Sequence, residues 1–486
     1  MQVIEQGHLA SSIEALFDRR FHVRRSGSTL RTELLAGLTT FFVMSYIIFL
    51  NPLILATPGA EGSGIAGLEI SATTTVTCLV AGVMSIIMGL YANKAYALAP
   101  GLGLNAVVAF SLVGQEGLTY PQAMGVVVAE GIVITVLVLA GVRKYVMDIV
   151  PLELKKGISV GIGLFILFIG LVNGGLVRQG TGTPVEIGTL RGAPVLVTAV
   201  GLLITLALLA RGFRAAILLG IVATTVFAIV LEEALQTGQF PDGQAQVPSS
   251  LVSTPDFSLV GAFSFGFVGE LGIWVAILTV FAFMMSDFFD TMGTMVGVGS
   301  QAGYLNERGE LIDAQRPLLV DSLAAMAGGV VSSSSATTYI ESSAGVAQGG
   351  RTGLVAIACG VLFLLAMPMA PLVEVVPTHA TAPALIVVGW MMMSVLSERE
   401  DVTGDGRRVR TRGIDFTDIE IGLPVLATMM LMPLTYSITN GIGAGFVVWM
   451  ALKLFRGKAR QVNPALWVIS LAFLVYFLRS FLGVAS

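Results

Sequence analysis

Charged residues are scarce in this sequence. Asp, Glu, Lys and Arg make up only 12% of the 486 residues, whereas 55% are hydrophobic. Cysteine and histidine are rarer still, with two and three copies. Cys78 and Cys359 fall inside apolar stretches and have no metal-ligand or disulfide spacing. The scattered His8, His22 and His379 form neither a zinc site nor a catalytic triad. The sequence therefore predicts no cofactor and excludes a soluble domain.

Long apolar runs dominate what remains. The mean hydropathy is +0.86, and run after run reaches the length of about 18 residues that a spanning helix needs. The 57 glycines suit helices that pack closely in lipid, where small residues let backbones approach. We therefore predict an all-α polytopic membrane protein.

The apolar runs predict fourteen transmembrane segments, two of them interrupted. In order they lie at residues 36–56, 72–91, 99–106 with a short apolar helix after it, 122–142, 154–173, 193–210, 215–231, 271–297, 318–331, 332–349, 354–369, 380–395, 419–437 and 442–454. A last apolar piece, 466–484, either spans the bilayer or lies at its interface, and we expect the interface or a re-entrant packing.

The basic residues give an independent check on this topology. Lys and Arg fall in the N-terminal arm and after the even-numbered spans, and the loops after odd-numbered spans nearly lack them, except for Arg178 and Arg191. By the positive-inside rule, the N-terminus lies in the cytoplasm and the protein lies in the cell (cytoplasmic) membrane. Because each half has seven spans, an odd number, the halves form a 7+7 inverted repeat.

The third span of each half is interrupted. In the second half, Ala336 to Ile340 predicts a short extended piece, and residues 341–349 predict a helix too short to cross the bilayer. The Gly/Pro-rich segment 99–106 occupies the corresponding place in the first half. Paired interrupted spans are the best sequence indication of a transporter site near the bilayer midplane. Glu341, at the junction in span 10, is therefore the first candidate for substrate binding.

Span 8 carries two intramembrane acids. Asp287 and Asp290 lie three residues apart, so both fall near one helical face, with Thr294 a turn further on. A carboxylate at a helix centre costs about 2.5–3.5 kcal/mol on insertion scales, so such residues usually serve a function. The alternative is that one of them only ties span 8 to a neighbouring helix. Glu130 in span 4 has the same two interpretations, and Asn105 either caps a half-helix or contacts ligand.

Four motifs give the chain a resemblance to a known family, the nucleobase–ascorbate transporters (nucleobase:cation symporters), and within it to the adenine/guanine/hypoxanthine permeases. They cover the chain from about residue 31 to 456. In order they are Tyr46-Ile47-Ile48-Phe49-Leu50-Asn51-Pro52, Gly101-Leu102-Gly103-Leu104-Asn105-Ala106, Phe289-Asp290-Thr291-Met292-Gly293-Thr294 and Thr337-Thr338-Tyr339-Ile340-Glu341.

The resemblance implies a two-domain transporter. A core domain would comprise spans 1–4 and 8–11 (36–148 and 271–372), and a gate domain spans 5–7 and 12–14 (149–235 and 373–457). The remaining segments are a cytoplasmic N-terminal arm (1–35), an extracytoplasmic loop (236–270) and the C-terminal apolar segment (458–486).

The resemblance also assigns roles within the site. It places the family's substrate-binding acids at Asp290 and Glu341, and main-chain contacts at Ala106 and Ile340. The uracil branch has Glu followed four residues later by His, where this chain has Asp290 and Thr294. That departure argues against a uracil carrier.

Three further residues complete the candidate set. Asn105 and Ser342, next to the two half-helix starts, join Thr294 as expected substrate contacts. Asp287 joins Asp290 as a candidate for proton coupling, because desolvation favours the neutral form of a buried carboxyl group.

These assignments predict proton-coupled uptake of purine nucleobases (hypoxanthine, guanine, adenine) by alternating access. An ionised Glu341 would accept two N–H groups from one purine edge. The alternatives are an anion or a uracil/xanthine transporter of the same fold, or an intramembrane hydrolase, which lacks its dyad here. The expected partners are the purine and the lipid bilayer, without nucleic acid, and a homodimer is one oligomeric state to test. The preferred purine and the choice of H⁺ over Na⁺ stay open.

Overall fold

The structure is a computed structural model that describes residues 17–56, 68–141, 150–180, 182–241, 243–306, 311–396, 399–402, 408–411 and 414–478. The first half contains α1 (Leu30–Met44), α2 (Ile47–Ala56), α3 (Ile70–Ile87), β1 (Leu98–Pro100), α4 (Leu102–Ala106), α5 (Tyr120–Leu139), α6 (Leu152–Asn173), β2 (Val177–Gln179), β3 (Val185–Ile187), α7 (Ala193–Ala210) and α8 (Ala216–Leu235). Helix α3 continues into a π-helical turn, Met88–Ala92, and α4 into another, Val107–Gln115.

The second half repeats this order with different lengths. It contains α9 (Phe267–Leu271), α10 (Ile273–Ala302), α11 (Gln315–Val330), β4 (Ala336–Thr338), α12 (Ser342–Ala347), α13 (Gly353–Ala366), α14 (Ala370–Glu374), α15 (Thr378–Met392), β5 (Arg399–Val402), β6 (Arg408–Thr411), α16 (Ile419–Leu434), α17 (Ile438–Phe455) and α18 (Pro464–Leu478).

Helices of membrane-spanning length make up most of the fold. Within the described ranges, nine helices are long and apolar enough to cross a bilayer, and four shorter apolar helices accompany them: 102–115, 378–392, 419–434 and 464–478. The predicted all-α membrane fold is confirmed, and the helix bounds follow the predicted spans closely. The total of fourteen spans stays a prediction.

The two interrupted spans meet at a short antiparallel ladder. Strand β1 pairs with β4 in the register Leu98 with Thr338, Ala99 with Thr337 and Pro100 with Ala336. Two more backbone bonds extend the crossing, from Tyr339 N to Ala97 O (3.0 Å) and from Gly101 N to Ser335 O (2.9 Å). Every residue of both strands is buried. The ladder satisfies backbone groups that would otherwise be unpaired at this depth, and the predicted extended pieces are confirmed.

Span 1 also has a break in its middle. Helix α1 ends at Met44 and α2 begins at Ile47, with Tyr46 in the break between them. Beyond the break, Asn51 donates from Nδ2 to Thr77 Oγ1 (2.7 Å), which ties α2 to α3. The position of Tyr46 is thus fixed by two packed helices.

The C-terminal helix α18 packs lengthwise against α17. Trp467 Nε1 donates to Ala459 O (3.3 Å) near its start, and Ser470 Oγ donates to Phe446 O (3.3 Å) further along, so the two helices are antiparallel. Near its end, Tyr476 donates to Glu116 Oε1 (3.1 Å), just after span 3. The apolar side chains of this segment thus find a lengthwise partner in α17, and its expected interfacial or re-entrant position stays a prediction. Residues 479–484 of that segment lie outside the described residues.

Candidate substrate site at the strand crossing

A cleft opens beside the β1–β4 crossing. Helix α10, both interrupted spans, the break in span 1 and the end of α15 contribute to its wall. The lining residues are Tyr46, Gly101, Leu102, Gly103, Asp290, Thr294, Thr338, Tyr339, Ile340, Glu341, Val388 and Met392. No Lys, Arg or His occurs among them. The cleft is therefore an apolar pocket with two acids and several hydroxyls, which suits a neutral ligand rich in N–H donors better than an anion.

Glu341 lies where β4 gives way to α12. It is 9% exposed, and its Oε1 accepts a hydrogen bond from the Tyr46 hydroxyl. Helix α12 has only six residues, and the Glu341 side chain makes no capping bond to it. A side-chain donor to this carboxylate thus comes from span 1, in the other half of the chain.

Asp290 reaches the same cleft from α10. Its side chain is partly exposed, Thr294 lines the cleft one turn further along, and Asp290 lies within electrostatic range of both Glu341 and Asp321. The structure thus brings together the two acids that the sequence singled out in different spans. Like charges this close disfavour ionisation of both groups at once.

Asp321 of α11 was missed from the sequence. Its Oδ1 accepts from Thr338 N (3.0 Å) and Thr338 Oγ1 (2.9 Å), and its Oδ2 accepts from Thr291 Oγ1 (2.8 Å). Thr291 in turn shares a 2.6 Å hydrogen bond with Thr337. Asp321 therefore joins α10 to β4 and fixes Asp290 relative to Glu341. The rule that an acid inside an apolar span is functional would have found it in span 9.

Of the remaining predicted residues, only Ile340 reaches the cleft, where its side chain is 45% exposed. Ser342 is buried, and its Oγ accepts from Ala97 N (3.0 Å), so it supports the crossing. Asp287 is buried in α10 and does not line the cleft.

The sequence placed Asn105 and Ala106 at the start of a half-helix. In the structure they lie further along that helix. Helix α4 begins at Leu102, and Asn105 N already donates to Gly101 O (2.8 Å) within it. The Asn105 side chain is fully buried and does not line the cleft, and its amide atoms have no hydrogen-bond partner among the residues that the structure describes. The backbone of Gly101 to Gly103, rather than Ala106, forms this side of the cleft.

Two other features of the wall could not be read from the sequence. Met392 lines the cleft from the end of α15, although no rule for intramembrane polar residues marks a methionine. Gly103 stands against α6, where a Cβ would come within 2.6 Å of Ile162 Cγ2. A side chain at this position would therefore push the cleft wall away from α6.

A cleft with two acids and several hydroxyls, set between two paired, interrupted spans of an apolar helical bundle, is the arrangement typical of a membrane transporter. Solved structures agree on the fold. The transmembrane domain of the cyanobacterial bicarbonate transporter BicA aligns with a TM-score of 0.58 at 15% identity, covering 86% of this chain and 97% of that one. Murine Slc26a9, an anion transporter, aligns with a TM-score of 0.57 at 10% identity, covering 88% and 69%. Both have the inverted-repeat fold, so the predicted fold class is confirmed, whereas the number of spans in each repeat of this chain stays a prediction.

The sequence relatives are closer. The xanthine/uracil permease model, described as the Permease family, matches residues 31–413. The adenine permease AdeP of Escherichia coli K12 is 37% identical over 465 residues, 96% of each chain. The guanine/hypoxanthine permease PbuG of Bacillus subtilis is 35% identical over 461 residues, 94% of this chain and 98% of its own. The chain belongs to this permease family, the nucleobase–ascorbate transporters, so it is a multi-pass membrane permease and not an enzyme.

Proposed function

We propose that this permease takes up purine nucleobases together with protons by alternating access. The observation that carries the proposal is the pair Glu341 and Asp290, which line one cleft whose lining, among the residues that the structure describes, includes no cationic side chain. The names of its relatives, which are adenine and guanine/hypoxanthine permeases, support the same substrate class.

Recognition would rest on complementary hydrogen bonds. An ionised Glu341 accepts N–H groups from a purine edge in a charge-assisted contact. Protonated Asp290 offers an O–H donor to a ring nitrogen or carbonyl, and Thr294 and Thr338 add hydroxyls that donate or accept. The remaining wall is apolar and aromatic, which suits a planar heterocycle.

Proton coupling would use the second acid. Asp290 lines the same cleft as Glu341, and two carboxyl groups in one site withdrawn from water favour a proton on one of them, so Asp290 would bind a proton when the site opens outward. It releases that proton to the cytoplasm together with the purine. Glu341 stays charged through the cycle, and the net movement is one purine with one proton.

Alternating access would move the core domain (36–148 and 271–372) against the gate domain (149–235 and 373–457). The wall of the cleft supports this division. Val388 and Met392 come from the gate side, and the other lining residues come from the core side. A shift between the two domains would therefore open or close the cleft without dismantling the hydrogen bonds around Asp321.

In the cell, we place the protein in the cytoplasmic membrane with its N-terminus in the cytoplasm, because Lys and Arg collect on that side. Two copies would form a homodimer in the bilayer, which single-molecule photobleaching of labelled protein would test.

The deciding experiment is transport in proteoliposomes. With an imposed inward proton gradient and no Na⁺, radiolabelled hypoxanthine and adenine should accumulate, and a protonophore should abolish the accumulation. Excess unlabelled purines should compete, whereas bicarbonate and sulfate should not. Accumulation that needs Na⁺, or that anions inhibit, would contradict the proposal.

A further inference from the structure

Tyr46 is the one residue of span 1 that reaches both the cleft and an acid. It is 1% exposed, its ring lines the cleft, and its hydroxyl donates to Glu341 Oε1. Because it occupies the break between α1 and α2, two packed helices fix its position. It therefore delivers its hydroxyl to Glu341 from a rigid part of the fold.

The two acids of the cleft have different surroundings. Glu341 receives a donor, whereas Asp290 accepts no hydrogen bond from any residue in the described part of the chain and lies near two other acids. Two carboxyl groups in one desolvated site tend to share a single proton. A donor on one of them decides which keeps its charge, because a hydrogen bond to the charged form favours that form.

We propose that Tyr46 is a positioning residue that keeps Glu341 ionised and leaves the exchangeable proton on Asp290. This inference rests on the proposed function, in which Glu341 binds the purine and Asp290 carries the proton. The inference adds Tyr46 as the group that assigns purine binding to Glu341 and the exchangeable proton to Asp290.

The other groups around Glu341 do not supply this bond. The Tyr339 hydroxyl donates to Pro100 O, and the Asp321 carboxyl accepts from Thr338 and Thr291. Val388 and Met392, on α15, carry no charge. Helix α12 makes no capping bond to the Glu341 side chain and has too few residues for a strong dipole.

The bond also restricts how a substrate can approach. One lone pair of Oε1 is already used by the Tyr46 hydroxyl. A purine N–H must therefore approach the remaining acceptor positions in a set direction. Loss of the Tyr46 hydroxyl should weaken binding most at low pH, where Glu341 would begin to take up a proton.

The test is a pH titration followed by infrared difference spectroscopy on purified protein in lipid nanodiscs, without purine. Asp290→Asn and Glu341→Gln assign the two carboxyl bands. In the wild type, the first band to grow as the pH falls should be the one that Asp290→Asn removes. In Tyr46→Phe, the band that Glu341→Gln removes should grow at a pH about one unit higher, the change expected for one lost charge-assisted hydrogen bond.

Tyr339→Phe is the matched control. It removes the same atom from the same cleft, but from a hydroxyl that donates to a backbone carbonyl, so both bands should titrate as in the wild type. If Tyr46→Phe misfolds, the order of protonation in the wild type is decisive by itself.

Two outcomes would overturn the proposal: a wild type in which the Glu341 band grows first, or a Tyr46→Phe protein that titrates as the wild type does. Neither depends on transport. A protein whose carboxyl groups titrate as expected but which does not transport purines would contradict the proposed function and not this inference. The two failures are therefore distinguishable.

Discussion

The two interrupted spans have the same backbone plan but different chemistry. Each begins with a three-residue strand, and the strands pair with each other. The first continues through α4 and a nine-residue π-helical turn, and its residues 98–115 include no charged side chain. The second continues into the six-residue α12 and carries Glu341. The inverted repeat therefore duplicated a scaffold, while the charge of the site was placed in one copy only.

The two halves of the repeat contribute different groups to the cleft. The first half supplies a close backbone wall at Gly101 and Gly103 and a hydroxyl from Tyr46, and the second half supplies both acids. Equivalent positions in the two halves are therefore not expected to respond equally to mutation.

The largest effect should separate Glu341 from Asn105. In Glu341→Gln, purine affinity should fall by about 10- to 100-fold, because a hydrogen bond to a charged group is worth about 1.5–3 kcal/mol. In Asn105→Ala it should change by less than about threefold, because that side chain does not line the cleft and has no hydrogen-bond partner within the described ranges. Equilibrium binding of radiolabelled hypoxanthine to purified protein measures both. Equal losses would mean that the two halves share recognition.

Asp290→Asn should uncouple transport. Wild-type uptake should fall as the external pH rises, because loading requires protonated Asp290 and deprotonation removes that state. The Asn variant mimics the protonated acid, so it should exchange purine across liposomes with weak pH dependence and fail to concentrate it under a proton gradient. Counterflow and gradient-driven uptake separate these properties. If the variant still accumulates purine, another residue carries the coupling proton, and Asp287 and Glu130 are the next candidates.

Asp321→Asn should have a smaller, mixed effect. It replaces one acceptor oxygen with an amino group that faces a hydroxyl or a backbone N–H, which should cost about 1–3 kcal/mol of unfolding free energy. Uptake should fall because Asp290 is no longer fixed relative to Glu341. The control is Asp313→Asn, just before the same helix, whose exposed pair with Arg316 should be worth little. Thermal unfolding and uptake should both distinguish the two variants.

The smallest effect concerns Thr294, one turn from Asp290. Because the uracil branch has His at that position, excess uracil should leave hypoxanthine uptake nearly unchanged here. Competition by uracil at concentrations comparable to those of unlabelled hypoxanthine would assign the protein to the uracil branch.

The sequence predicted the parts of the site that follow local rules. An ordinary apolar helix contains no extended piece, no break and no acid. The extended pieces, the break in span 10 and the acids of spans 8 and 10 could therefore be recognised. Tyr46 does not, because a tyrosine in an apolar span has many uses and its partner lies in the other half of the chain. The sequence pattern predicts a start near Asn105 for the half-helix that in fact begins at Leu102. The difference arises because Gly101 and Leu102 continue the apolar pattern on both sides of the boundary. Asp321 in span 9 is an acid inside an apolar span, so the same rule that marks Asp290 could have predicted a role for it.

The β1–β4 ladder has a consequence for how the protein is made. Residues 98–100 are synthesised long before residues 336–338, yet each strand is the hydrogen-bonding partner of the other. During translation the first half therefore enters the membrane with backbone groups such as Ala97 O and Gly101 N, whose hydrogen-bond partners belong to the second half. Lipid does not tolerate such unpaired groups. Either water or another protein must cover this segment until the second half arrives. Ribosome-bound chains that stop before residue 336 should accordingly be the most protease-sensitive and chaperone-dependent intermediates in its assembly.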